Sequence, residues 1–271
     1  MPGDNRMMSN DLRAQARELL LGCDPTAKAA STRLLQSTDP VLTETIHAEA
    51  PDMPGRPERP ILVGFNALAR RSPATVQGRA VLLHALTHIE FNAINLALDI
   101  VWRFPGMPEA FYREWIGVAR EEAQHFELLR AHLQTLGHDY GDFPAHNGLW
   151  EIAHKTRGDV LARLALVPRT LEARGLDASP PMRDKLLAAG DQGAAAILDI
   201  ILRDEIGHVA VGNYWYRHVC RERSLDPIST YAELAAHHGA PRLRGPFNLP
   251  ARRAAGFDEA ELALLQADAT P

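Results

Sequence analysis

Three long helical patterns in this sequence each place a glutamate in the middle of an apolar stripe. Stepping by three and four residues, the first stripe is apolar except for Glu90, the second except for Glu122 and the third except for Glu205. An unpaired buried carboxylate costs several kcal/mol, whereas the net stability of a domain is roughly 5–15 kcal/mol. The chain can therefore bury these stripes only if the carboxylates are protonated, paired with cations or bound to metal.

Helical patterns extend over most of the chain, and alternating β-branched residues are almost absent. The sequence therefore predicts an all-α protein, and its apolar fraction of 46% suffices for a sizeable core. Long helices are predicted over residues 73–103, 108–136, 149–174 and 191–222. A short helix is predicted near 182–189, after the breaker sequence GLDASPP.

Proline-rich stretches divide the chain into three predicted parts. Residues 1–60 form an N-terminal extension with two short helices near 11–21 and 26–36, followed by the linker APDMPGRPERP. Residues 61–225 form a four-helix bundle. Residues 226–271 form a C-terminal tail with two short helical patterns, which we expect to pack on the bundle.

Histidines accompany two of the buried glutamates. In Glu122–His125 and Glu205–His208 the histidine follows three residues later, about 60° round the same helical face. Carboxylates and neutral imidazoles bind transition metals, and two divalent ions would neutralise four glutamates. Di-iron carboxylate bundles combine a lone glutamate from each of two helices with Glu-x-x-His from each of the other two.

The depths of the glutamates along the bundle can be compared by counting from the turns. Glu90 and Glu122 lie sixteen residues to either side of Gly106, so they share a depth in an antiparallel hairpin. The twelve-residue loop after the second helix can extend about 40 Å, enough for a long crossover. Glu172 on the third helix shares this depth only if the residues after it continue along the bundle. Pro168 should kink that helix, either to open a ligand position or for packing alone.

Two further Glu-x-x-His motifs lack such a setting. Glu151 lies about 31 Å from Glu172 along one predicted helix, so both cannot serve one site. We expect Glu151 in the first helical turn, where the helix dipole favours a carboxylate. We expect Glu44 on the surface, because its short helical pattern has no matching partner.

Polar residues near these glutamates have alternative roles. Asp204 precedes Glu205 and could accept a hydrogen bond from the outer N–H of a ligand histidine, with a solvated aspartate as the alternative. Glu121 is expected to be solvated. His84 and His88 are expected to be hydrogen-bonded within the protein or exposed, rather than part of the site.

Four runs, REEAQHFELL, YGDFPAHNGLWE, RLALVPRTLEARGLDASP and LRDEIGHVAVG, resemble a bacterial ferritin-like family known only as domain of unknown function 455. The resemblance covers about residues 60–225 and implies a ferritin-like four-helix bundle with a dinuclear site. The metal ligands that it implies are Glu90, Glu122, His125, Glu172, Glu205 and His208.

More distant likenesses concern parts of this pattern. RDEIGH resembles the Asp-Glu-x-x-His of soluble fatty-acyl desaturases and ribonucleotide reductase small subunits, and the ligand order resembles that of a ferritin-like tRNA hydroxylase. The radical-bearing small subunits have a tyrosine four residues after the first such histidine. Leu129 stands at that place here, so no stable tyrosyl radical is expected there.

A di-iron site implies an oxidoreductase that activates O₂ to hydroxylate or desaturate a small molecule or a modified RNA, with an electron-donor protein as a further partner. Manganese, or a mixed iron and manganese pair, suits the same ligands. One alternative is a ferroxidase or iron-handling protein whose substrate is Fe(II). Another is a structural or interaction protein with a vestigial site.

Charge and hydropathy restrict the partners further. The net charge of −5 argues against a general nucleic-acid coat protein. Without an apolar run of about 18 residues, no membrane span is expected. The polar N-terminus and two lone cysteines fit a cytoplasmic protein. Four tail arginines are expected to be solvated, with contact to a phosphorylated or nucleic-acid substrate as the alternative; they are Arg242, Arg244, Arg252 and Arg253.

Overall fold

A computed structural model describes residues 10–50, 53–68 and 71–268. Within these ranges the regular structure is helical apart from one isolated β-bridge, so the predicted all-α, ferritin-like class is confirmed. In chain order the helices are α1 (Leu12–Leu21), α2 (Pro25–Arg33), α3 (Val76–Arg103), α4 (Glu109–Thr135), α5 (Gly148–Lys155), α6 (Val160–Leu166), α7 (Ala173–Ala188), α8 (Gln192–Glu222), α9 (Pro227–His238), α10 (Leu249–Ala254) and α11 (Glu259–Asp268). A 3₁₀ turn covers Phe65–Ala67, and a π-helical segment covers Val167–Glu172.

The α3–α4 hairpin is the centre of the bundle. Thr75 caps α3 by accepting a hydrogen bond from the backbone N–H of Gly78, and Gly106, with φ +77°, allows the turn into α4. α3 is long and apolar enough to cross a membrane, but 78% of its most apolar window is buried in the protein. Such burial is typical of the core helix of a soluble protein.

The third helix of the bundle differs from the single helix predicted over 149–174. α5 ends at Lys155, and Asp159 then caps a new helix, α6. The sequence GLD does not end a helix as predicted, because α7 includes it and continues to Ala188, absorbing the short helix predicted near 182–189. Leu176 is fully buried against α8 and the tail, so packing outweighs the local glycine signal.

Pro168 lies in the π-helical segment that joins α6 to α7. Its ring packs directly on α8, where a methyl group on Gly212 would meet the Pro168 Cβ at 2.4 Å. Proline and π-bulges are the usual causes of a helix distortion of this kind. The distortion ends at Glu172 and so influences where that side chain points.

Both extensions pack on the bundle, although the division into three parts remains a prediction. α1 packs on α3, α2 packs on α4, and the apolar face of α1 joins the main core. The described part of the tail, residues 226–268, contains three helices, α9 to α11, instead of the two predicted. The prediction of a solvated Arg252 is wrong, because this side chain is 1% exposed and its Nε donates to Asp177 at 3.1 Å. Arg253 is exposed and pairs with Glu259.

Candidate metal centre

Carboxylates and a histidine from three helices meet in the centre of the bundle. His125 Nδ1 on α4 lies 3.5 Å from Glu90 Oε2 on α3 and 3.4 Å from Glu122 Oε2. One ligand atom from each of Glu90, Glu122, His125 and Glu205 lies within 4.8 Å of the others, and all four residues are buried. The shared depth of Glu90 and Glu122, counted from the Gly106 turn, is therefore present in the structure.

The remaining two residues of the implied ligand set lie beside this group. His208 Nδ1 is 3.0 Å from Glu122 Oε1 and 3.7 Å from Glu205 Oε1, so Glu122 lies between the two histidines. Glu172 comes from the π-helical segment and lies outside the tightest group of four. Burial raises the pKa of its carboxyl well above the usual range, and the charges of Glu205 and Glu122 raise it further.

Buried polar atoms without partners converge on this centre. Buried nitrogen and oxygen atoms are as a rule hydrogen-bonded, and each exception calls for an explanation. Among the described residues, buried atoms without a hydrogen-bond partner include Glu90 Oε2, Glu122 Oε1 and Oε2, His125 Nδ1, Glu172 Oε2, Glu205 Oε2 and His208 Nδ1. Carboxylate oxygens and imidazole nitrogens are ligands for divalent transition metals, so the donor set fits a metal.

The electrostatics of the centre also favour a cation. Burial and the nearby charge of Glu122 raise the pKa of Glu90 well above its usual range, and the same two causes raise the pKa of Glu205. Burial alone would raise the pKa of Glu122, but His208 and His125 hold it below its usual range. The two histidines compensate Glu122, and a bound cation would stabilise the ionised forms of the other carboxylates as well.

Each histidine is also held from outside the centre by a carboxylate of the opposite helix. His125 Nε2 lies 3.1 Å from Asp204 Oδ2, and His208 Nε2 lies 2.8 Å from Glu121 Oε2. Glu121 is 53% exposed, as expected for a solvated side chain, but its carboxylate also contacts His208, which the sequence did not predict. α4 and α8 pack closely enough for the residue before the glutamate of one motif to reach the histidine of the other.

Residues 21–263 match the family described as "Protein of unknown function (DUF455)". The chain belongs to the DUF455 family. The chain is also similar to an "Uncharacterized protein" of Haemophilus influenzae (strain ATCC 51907 / DSM 11121 / KW20 / Rd). The two are 50% identical over 213 residues, which cover 76% of this chain and 74% of the relative. No solved structure matches the chain. The family resemblance noted from the sequence motifs is therefore confirmed.

The other histidine motifs of this DUF455 protein lie elsewhere. Glu151 is exposed in the first turn of α5, and Glu44 is exposed before α3. His84 and His88 are buried and contact the loop between α4 and α5. The Gly141 N–H donates to His84 Nε2 at 3.0 Å, and His88 Nδ1 lies 2.9 Å from the Tyr140 hydroxyl.

A cavity of about 740 Å³ connects the candidate metal centre of the DUF455 chain with its surface. Glu90, Glu172 and Glu205 line its inner part, and the remaining wall comes mainly from apolar residues of α3, α7 and α8. The tail segment 242–247 lines the outer part. The volume is within the range of small-molecule sites, which is roughly 300–1,000 Å³.

Proposed function

We propose that this DUF455 protein is a dinuclear, di-iron oxidoreductase that uses O₂ to oxidise an organic substrate. The observation that carries the proposal is the cavity of about 740 Å³ that reaches Glu90, Glu172 and Glu205. This cavity is large enough for an organic molecule. Each of the three glutamates that line it has a buried oxygen without a hydrogen-bond partner among the described residues. Substrate and metal would thus share one enclosed site.

The six implied ligands would hold the metal pair. Glu122 lies between His125 and His208, which makes it the candidate shared ligand. Glu90 lies on the His125 side, and Glu205 on the His208 side. Two iron ions bound there would supply electrons for the reduction of O₂, and a manganese or mixed pair suits the same donors.

The surrounding residues of the chain orient these ligands and exclude water. Asp204 and Glu121 accept hydrogen bonds from the outer nitrogens of His125 and His208, which leaves each Nδ1 free to face the centre. Leu129, fully buried one helical turn after His125, supplies no redox-active hydroxyl at that place. The apolar cavity wall would keep bulk water from a bound substrate and thereby favour its oxidation.

A ferroxidase is the second candidate function. The same centre supports it, because iron can be a substrate as well as a cofactor. The cavity favours an organic substrate, since an Fe(II) ion needs polar or acidic side chains along its entry path, whereas this wall is mainly apolar. We propose that the oxidoreductase is cytoplasmic and that it receives electrons from a donor protein.

Metal content tests the proposal directly. Anaerobic Fe(II) titration of the full chain should give about two irons per chain, and Glu122→Gln should lose most of this binding. Glu151→Gln is the matched control, because it alters the same type of motif at an exposed position of α5. A wild-type chain that binds no transition metal would contradict both the oxidoreductase and the ferroxidase.

Thermal unfolding and O₂ uptake complete the experiment. Metal at a hundredfold excess over Kd should stabilise the chain by about 2.7 kcal/mol and raise Tm by roughly 5–10 °C, an increment absent in Glu122→Gln. A ferroxidase consumes O₂ in proportion to added Fe(II) and needs no organic substrate. Uptake that an external electron donor sustains, and an organic substrate couples to product, is the result expected for the oxidoreductase.

A further inference from the structure

We propose that the organic substrate is an amphipathic anion, with an apolar chain or ring body and a terminal carboxylate or phosphate. This inference rests on the proposed function and deepens it, because the substrate would occupy the cavity beside the metal centre. The wall of the cavity, the charges at its outer end and the contacts of the tail there all favour such a ligand.

The inner wall is suited to an apolar body. Ile89 precedes Glu90 in the middle of the core helix α3, yet it is 39% exposed because it faces the cavity. Leu149, Leu171 and Met182 add further apolar surface to the cavity wall. A substrate that covered these side chains would gain roughly 25 cal/mol for each Å² of apolar surface removed from water.

The outer part of the cavity carries unpaired positive charge. Arg174 on α7 and Arg242 and Arg244 on the tail line the cavity, and all three are exposed. The arginine ion pairs present among the described residues involve other arginines, so these three have no carboxylate partner there. A guanidinium group binds carboxylate and phosphate oxygens in a two-pronged geometry, which suits an anionic head group.

Other titratable groups in the outer cavity do not cancel this charge. Asp177 also lines it, but Arg252 already pairs with that carboxylate, and the backbone N–H of Asn248 donates to it at 2.8 Å. Burial lowers the pKa of the His146 imidazole, so this side chain is neutral near pH 7. The carboxylates of Glu90, Glu172 and Glu205 face the metal centre at the other end of the cavity.

The tail residues that follow Arg242 and Arg244 are fixed to α7. Asn248 Nδ2 donates to the Leu176 carbonyl at 3.1 Å, and the Arg252 guanidinium lies 5.3 Å from the centre of the Phe247 ring. Together with the pair between Arg252 and Asp177, these contacts fix residues 247–252 beside α7. The cavity therefore has a cationic end formed by the tail and a metal end formed by the bundle, which would orient an amphipathic anion with its body towards the metal.

Binding of three ligands with one alkyl chain tests the inference. Dodecanoate, dodecyl phosphate and dodecan-1-ol are titrated calorimetrically into the full chain, with iron and after chelation. We expect the better anion to bind at least about tenfold more tightly than the alcohol, a difference of about 1.4 kcal/mol. A preference for dodecanoate or for dodecyl phosphate identifies the head group, and either preference supports the inference.

Three variants locate the ligand. Arg242→Gln/Arg244→Gln should weaken anion binding about tenfold or more and leave the alcohol unchanged. Arg253→Gln, an exposed tail arginine outside the cavity, is the matched control. Ile89→Trp should weaken all three ligands, because the larger side chain fills space in the cavity, and partial exposure allows the replacement without disturbing the core.

The outcomes also separate this inference from the proposed function. An alcohol that binds as tightly as both anions, or anion binding that neither the double variant nor Ile89→Trp weakens, would overturn the inference. So would an RNA oligonucleotide that binds through Arg242 and Arg244 while no alkyl anion binds. Anion binding that persists in Glu122→Gln supports the inference even if wild type binds no metal, in which case only the proposed function fails.

Discussion

Asp204 on α8 lies 3.1 Å from Nε2 of His125 on α4, so a residue beside one Glu-x-x-His motif orients the histidine of the other motif. The relationship is reciprocal, because Glu121 on α4 lies 2.8 Å from Nε2 of His208 on α8. Arg203 holds the Asp204 carboxylate in turn, with its Nε 2.8 Å from Oδ1. The two helices thereby fix both imidazole rings with Nδ1 towards the centre.

Asp204→Asn should lower metal affinity about 10- to 100-fold, because the amide is a weaker acceptor and carries no charge to make the imidazole a better ligand. Isothermal titration with Fe(II) under anaerobic conditions measures the change. Asp199→Asn is the control, since that carboxylate lies on the same helix, is half exposed and pairs with Arg183, away from the candidate metal centre. Unchanged affinity in Asp204→Asn would show that the contact with His125 has no part in metal binding.

Glu121→Gln should also lower metal affinity, but by a smaller factor than Asp204→Asn. The Glu121 side chain is 53% exposed and that of Asp204 is 14% exposed, so solvent screens the Glu121 contact more. We expect a loss of metal affinity of tenfold at most, on the order of 1 kcal/mol. Glu127→Gln, with a side chain 41% exposed on the same helix, is the control. A larger loss in Glu121→Gln than in Asp204→Asn would contradict this ranking.

Much of the site geometry follows from counting along regular helices. The rise per residue is constant in an α-helix, so Glu90 and Glu122 could be placed at one depth from the position of Gly106 alone. The same reasoning fails for Glu172, because a π-helical segment changes the register just before it. Pro168 signals a distortion in the sequence, but its π-helical form and its close packing on Gly212, far away in the sequence, are visible only in the structure.

The sequence did not indicate which side chains of distant helices contact each other. Glu121 and Asp204 occupy equivalent positions before their motifs, which was the available signal for a role of Glu121 at His208. The burial of Arg252 had no such signal, since it depends on where the tail docks against Asp177. Local patterns predict element type well, whereas contacts between distant elements require the packed structure.

His84 should make the stability of the fold sensitive to acid. Burial lowers the pKa of this imidazole to about 4, whereas in the unfolded chain it is about 6.5. Above pH 6.5 both states are neutral and His84 contributes nothing. As the pH falls from 6.5 towards 4, only the unfolded state takes up the proton, so the free energy of unfolding decreases.

His84→Gln isolates this effect, because glutamine can still accept the hydrogen bond from Gly141 N–H and cannot be protonated. Urea unfolding of wild type should lose on the order of 2 kcal/mol more than the variant between about pH 7.5 and about pH 5. His237→Gln, an exposed histidine on α9, should keep the pH dependence of wild type. Parallel pH profiles for wild type and His84→Gln would refute the assignment.

Gly212→Ala should destabilise the protein and weaken its metal site together. The added methyl group would meet Pro168 Cβ at 2.4 Å and Cγ at 2.7 Å, and a proline ring cannot rotate away. Overpacking of this kind costs about 1–3 kcal/mol, and relief requires movement of the π-helical segment that ends at Glu172.

Gly207→Ala on the same helix is the control, because nothing lies within 4 Å of its added methyl group. That substitution should stabilise α8 by up to about 1 kcal/mol through helix propensity. Thermal unfolding and Fe(II) titration of both variants measure the two effects. Equal behaviour of the two alanines would show that the Pro168 contact does not restrain the segment carrying Glu172.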